Sequence, residues 1–133
     1  MKKKRISGIY MPVILIAASY RKDETPALKA EINTGKWRLS QYVDNGEDKT
    51  HWFPSYTITF NPNNTVTVNV NNNNYVGTWQ FDDISRRVTL SMPSALHFYK
   101  LTGNWILTDS TERYFKLRNA NLFKTEMISF IRV

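Results

Sequence analysis

The chain has 133 residues, carries a formal net charge of +7 and contains no cysteine. A length of this order supports one domain around one core. Without cysteine there is no disulfide, no thiolate zinc site and no cysteine nucleophile, so apolar packing alone must hold the fold.

The first element in chain order is a leader. Met1 is followed by Lys2, Lys3, Lys4 and Arg5, residues 9–18 form an apolar run interrupted only by Pro12, and the small residues Ala17, Ala18 and Ser19 close it. A basic start, an apolar stretch of about ten residues and a small-residue exit make the pattern of a secretory signal; the run falls short of the ~20 residues a spanning helix needs. The sequence therefore predicts a signal peptide and short leader over residues 1–24 and an exported domain over residues 25–133, in the periplasm or on the cell surface. The leader also holds most of the charge: Lys2, Lys3, Lys4, Arg5, Arg21 and Lys22 against Asp23 and Glu24 give it +4, which leaves +3 for the domain. The remaining basic groups are scattered apart from Arg86-Arg87, so no nucleic-acid partner is expected.

A short helix is predicted over residues 26–32, with Thr25 as its cap, Pro26 at its first position and Gly35 just past its end. Period-two alternation follows. Trp37, Leu39 and Val43 are predicted to share one strand face, as are Tyr56, Ile58 and Phe60; Val66, Val68 and Val70; Tyr75, Gly77, Trp79 and Phe81; and Val88, Leu90 and Met92. Further strands are predicted over residues 96–101, 105–108, 114–118 and 127–133. Between the runs stand residues that tolerate turn dihedrals: 61–64, the asparagines 71–74, Asp82-Asp83, Pro93-Ser94, Thr102-Gly103 and Asp109-Ser110. Eight or nine short strands at near-regular spacing make an antiparallel meander. Closing it buries one face and removes the exposed edges, so the predicted fold is all-β: a small up-and-down antiparallel barrel of about eight strands.

Three Gly-x-Trp tripeptides, Gly35-Lys36-Trp37, Gly77-Thr78-Trp79 and Gly103-Asn104-Trp105, recur in a chain with four tryptophans. The glycine lets a strand curve or a neighbour approach, and the indole on the same face fills the barrel. With Trp105-Ile106-Leu107, residues 114–117 and residues 128–132, this pattern resembles the small lipocalin-like domains of exported Bacteroidetes proteins, over residues 29–133. The resemblance implies a barrel with one closed end, sealed by Trp37 behind Gly35, with an arginine over the indole; Arg132 on the last strand is the expected partner by cation–π stacking. Many such proteins are lipoproteins. Here Leu15-Ile16-Ala17-Ala18-Ser19 precedes Tyr20, where a lipoprotein carries its acylated cysteine. A phenol cannot accept that anchor, so outer-membrane association is expected only if a cysteine stood in place of Tyr20.

Catalytic chemistry finds little support. His51 and His97 lie beside Trp52 and Phe98 with no metal-ligand spacing, no nucleophile elbow or phosphate-cradling loop occurs, and the paired acids lie in turn-like stretches. No catalysis, metal or cofactor is expected. The aromatic residues are the functional candidates: Tyr56, Trp79, Phe81, Phe98 and Trp105 either line a cup for a small apolar or aromatic ligand or fill the core, because eight strands leave room for either. Residues 51–54 place Trp52 and Phe53 in a loop at the barrel mouth, as a lid or contact patch. The expected function is an exported carrier of a small apolar ligand, with a protein-interaction or inhibitor module built on a filled barrel as the alternative.

Overall fold

The computed structural model describes residues 32–133 apart from Pro54. The predicted leader, Tyr20 and the predicted helix, except Ile32, lie outside the described residues. The strands are β1 (Trp37–Asp44), a two-residue β2 (Glu47–Asp48), β3 (Thr57–Phe60), β4 (Thr65–Val70), β5 (Asn73–Asp82), β6 (Arg87–Ser91), β7 (Gly103–Ser110), β8 (Tyr114–Asn119) and β9 (Glu126–Arg132). Each barrel strand pairs with its neighbour in sequence, and β9 returns to β1 from Glu126↔Asp44 to Arg132↔Trp37. This closes an eight-stranded antiparallel up-and-down barrel, with β2 a flap outside the ring. Closure leaves no long sheet edge to template association.

The alternating residues explain the burial. Ile58, Phe60, Val66, Val68, Trp79, Val88, Leu90, Trp105, Leu107, Phe115 and Leu117 all turn inward and are at most 3% exposed. Two-residue hairpins set the register at Asn45-Gly46 and Asn71-Asn72, where all four residues have positive φ. Such turns match the twist of the flanking strands and favour asparagine and glycine. The asparagine tract is thus part of a hairpin: Asn69 pairs with Asn74, and their side-chain amides bond at 2.8 Å. At Gly77 an added Cβ would collide with the Ser91 carbonyl, so glycine is what lets β5 and β6 approach there.

Three expectations change. Val43 does not share the inward face of Trp37 and Leu39, because the β1–β9 register shifts between Ser129 and Phe130; the phase flips after Leu39 and Tyr42 becomes the fully buried residue. Residues 96–101 are not a strand. Phe98–Leu101 is a 3-10 turn whose buried residues are Phe98 and Leu101, three apart, the spacing of a three-residue turn and not of a pleat. Thr102-Gly103 and Asp109-Ser110 are not turns either, since Gly103 opens β7 and Asp109 and Ser110 close it.

The ring has one weak seam. β1 meets β3 through the single pair Trp37↔Ile58, whereas β1 and β9 share seven. Beyond that pair, side chains and the flap replace the ladder: the Tyr42 amide donates to Thr50 Oγ1 at 2.9 Å, and Val43 and Asp44 pair with Asp48 and Glu47.

Candidate functional site

The two ends of the barrel are closed by different means. At the end where β1 begins, Trp37 is fully buried and its indole N–H donates to the Ile32 carbonyl at 2.9 Å. The Arg132 guanidinium lies 4.3 Å from the Trp37 ring centroid and donates to the carbonyls of Thr34 (2.5 Å) and Glu112 (2.6 Å). Gly35 has φ +83°, and a Cβ there would come within 2.5 Å of that guanidinium. Above this plate, Trp37 meets Phe115 (4.8 Å), Phe115 stacks on Phe130 (4.8 Å), and Phe60 contacts Phe115, Phe130 and Trp79.

At the other end, residues 49–53 with Ser55 and Tyr56 fold over the mouth. Phe53 turns inward and is 5% exposed, so of the pair expected at the rim only Trp52 remains partly on the surface. Phe53 contacts Tyr42, Tyr56 and Phe98, and Tyr56 meets Phe98 edge-on at 5.1 Å. Trp52 stacks on His97 at 4.9 Å, with the Lys49 and Lys100 ammoniums 4.9 and 5.4 Å from its centroid. The Tyr56 hydroxyl is buried and makes no well-formed hydrogen bond. Burial drives its pKa far above the ordinary phenol value, outweighing the opposite pull of the Leu39 backbone and the Arg38 charge.

The five candidates for a cup make different contacts. Tyr56 and Phe98 belong to the mouth cluster; Trp79 packs on Phe60 and donates its N–H to the Asn61 carbonyl, and Trp105 donates to the Leu101 carbonyl, both at 2.9 Å. Phe81 is partly buried against the core. None of the five lines the three surface depressions described below.

One depression, of about 640 Å³, lies beside the mouth. Its floor is Glu126, opposite Asp44 across β9 and β1. Glu126 Oε2 accepts from the Tyr42 hydroxyl at 2.5 Å and Oε1 from Asn119 Nδ2 at 2.7 Å. Burial first, then this bond and the Glu126 and Asp44 charges, raise the Tyr42 pKa well beyond the ordinary phenol range, so it stays a proton donor. The hairpin of β1 and β2 supplies one wall, where Lys49 bridges Asp44 and Glu47 at 3.5 and 3.6 Å. The 3-10 turn supplies Tyr99 and Lys100 opposite. The third wall is the loop 120–125, held by bonds from the Asn121 amide to Asn119 Oδ1 and from the Phe123 amide to Asn121 Oδ1, and tied to the hairpin through the Asn45 amide and the Thr125 carbonyl. This loop leaves Leu122 and Phe123 79% and 97% exposed. A smaller depression of about 420 Å³ continues past Thr102, Asn119 and Lys124 to Arg87. A third, of about 800 Å³, sits at the opposite end around Tyr114, Ile131 and Arg132.

The sequence reading passed over this groove. Tyr42 was hidden by the phase flip, and Glu126, Asn119, Tyr99 and Lys100 come together only through the topology. The one local signal was Asn45-Gly46, the strong hairpin dipeptide that builds the β1–β2 wall.

A crystal structure of a DUF4847 family protein from Bacteroides vulgatus ATCC 8482 is similar to this chain, with a TM-score of 0.58 at 19% identity over 75% of this chain and 93% of that one. The chain shares its barrel with a Bacteroides protein. At that identity the likeness concerns the fold alone. No family model matches the chain, and no curated protein matches it in sequence.

Proposed function

We propose that the protein is an exported, lipocalin-like binding module without catalysis, which takes its ligand or partner on the rim of the barrel mouth. The observation that carries this reading is the contrast between inward aromatic rings that contact one another and a groove of about 640 Å³ beside the mouth with an exposed ring on its edge. Binding sites are concave and hold fixed polar groups that orient a ligand; this groove is concave and mainly polar, with three carboxylates and three lysines beside the Tyr99 and Phe123 rings. The lipocalin-like reading is supported by Gly35, Trp37 and Arg132 at the sealed end, and the exported location by the leader.

A second reading is the interior carrier of a small apolar or aromatic ligand. It is favoured by the buried Tyr56 hydroxyl, which makes no well-formed hydrogen bond, beneath a cover joined to β1 by the bonds from the Lys49 amide to the Tyr42 carbonyl and from the Tyr42 amide to Thr50 Oγ1. A fragment screen followed by amide chemical shifts separates the two. Shifts at Tyr99, Lys100, Phe123 and Glu126 support the rim; shifts at Trp79, Trp105 and Phe60, with apolar fragments as the hits, support the carrier and overturn the rim.

A further inference from the structure

The mouth groove has a chemical character that narrows its ligand, an argument that rests on the rim reading above. Its charged groups cancel: Asp44, Glu47 and Glu126 face Lys49, Lys100 and Lys124. A phosphate or other compact anion therefore meets no net attractive field. It also meets Glu126, both of whose oxygens are held by neutral donors, Tyr42 and Asn119, and not by a cation. An apolar ligand would strip water from these charges without replacing its hydrogen bonds, which costs several kcal/mol in order of magnitude. Both classes fit poorly.

What the groove offers is a dense set of fixed donors and acceptors. Each Glu126 oxygen already accepts one bond and retains capacity for another, and its orientation is set before any ligand arrives, so little ordering entropy remains to be lost there. Lys100 and Lys124 have no ion-pair partner among the described residues, while Lys49 is engaged by Asp44 and Glu47. Two rings flank the polar floor: Tyr99, 50% exposed, and Phe123, 97% exposed. A matching ligand carries groups that donate and accept at once, has no net charge, and presents apolar C–H faces to aromatic rings. We propose that the groove binds a neutral carbohydrate, a short oligosaccharide whose hydroxyls bond to Glu126, Asn119 and Lys100 while a sugar face rests on Tyr99 or Phe123. A volume of about 640 Å³ lies within the range of small-molecule sites.

The test is titration calorimetry of the folded protein against a panel of neutral oligosaccharides, with acidic oligosaccharides, inorganic phosphate and unrelated short peptides as comparison probes. Affinity for at least one neutral oligosaccharide near or below about 1 mM is expected. Glu126→Gln, which removes the charge and replaces one of the two acceptor oxygens with a donor, and Tyr99→Ala should each weaken binding at least about tenfold, whereas Tyr99→Phe, which keeps the ring, should retain it. Tyr99 is half exposed, so its variants test binding without risking the fold. Binding of peptides or phosphate at the groove with no response to sugars would overturn the carbohydrate assignment and leave the rim reading standing. Sugar binding that ignores both Tyr99→Ala and Glu126→Gln would place the sugar elsewhere and overturn the proposal as well.

Discussion

The sealed end and the mouth bury the same kind of side chain yet are built to different standards of hydrogen bonding. At the sealed end the plug is tied to backbone carbonyls: the Trp37 N–H reaches Ile32, and Arg132 caps the indole while tying Thr34 and Glu112 together. At the mouth, Tyr42, Phe53, Tyr56 and Phe98 make a comparable aromatic cluster, but one buried hydroxyl makes no well-formed hydrogen bond and the cover lies along the seam where β1 and β3 share one pair. Ring burial supplies bulk stability at both ends, while the hydrogen bonding around the rings differs between them. Regions with few ladder bonds sit at the low-stability end of a structure's local openings.

The sharpest way to break this comparison is to remove one tryptophan from each end. Trp37→Ala empties a fully buried site that strands on both sides hold rigid, and should cost about 3–5 kcal/mol in urea unfolding. Trp52→Ala takes away a partly buried ring that meets Tyr42, His51, His97 and two lysines, and about 1–2 kcal/mol is expected from the smaller area lost. Equal losses would mean that the cover is as integral to the core as the plug.

Arg132→Met comes next. It keeps an apolar stem over the indole but gives up the cation–π contact and the bonds to the Thr34 and Glu112 carbonyls, so a loss of about 1–3 kcal/mol is expected in the same experiment. Recovery of most of that stability by Arg132→Lys would show that the charge alone matters; the two-carbonyl geometry predicts that lysine recovers little.

Much of the sealed end could be read in the sequence, because its determinants are local: a Gly-x-Trp at a strand start, strict alternation along Val66, Val68 and Trp79, and turn residues between runs. The mouth was far less legible. Its defining residue, Tyr42, changes face because of a register shift opposite Ser129 and Phe130, and a bulge leaves no mark on a period-two pattern except a break that looks like noise. Residues 96–101 alternate well enough to pass for a strand, yet Phe98 and Leu101 are buried together, which fits only a three-residue turn. The groove itself has no motif, since Glu126, Asn119 and Tyr99 meet only after the ring closes.

The seam offers a smaller and more local test. Thr50→Val leaves the Tyr42 amide without its acceptor and takes one of two bonds from the Asp48 carboxylate, whose pKa the Thr50 hydroxyl and amide together hold below the ordinary aspartate value; the amide bond remains. A global loss of about 1–2 kcal/mol is expected from the stranded donor. The more telling readout is hydrogen exchange: the Tyr42 amide should exchange faster by more than the global loss accounts for, while amides of β8 and β9 near Phe115 and Phe130 should not.

The smallest effect concerns Tyr56, and its sign carries the information. A buried hydroxyl without a partner is a cost that the fold bears, so Tyr56→Phe should be neutral or stabilising by up to about 1 kcal/mol at neutral pH. The same residue contributes to behaviour in base. Unfolded tyrosine titrates near pH 10, whereas burial raises Tyr56 well above that in the fold. Above pH 10 the unfolded chain therefore holds fewer protons than the native one, and stability falls as pH rises. Tyr42 acts in the same direction through burial and its bond to Glu126. Denaturant unfolding between pH 8 and 11 should thus show a decline beginning near pH 10 that is shallower in Tyr56→Phe than in the parent. A clear destabilisation by Tyr56→Phe at neutral pH would mean that the hydroxyl is bonded after all, and the mouth would then match the sealed end in the completeness of its hydrogen bonding.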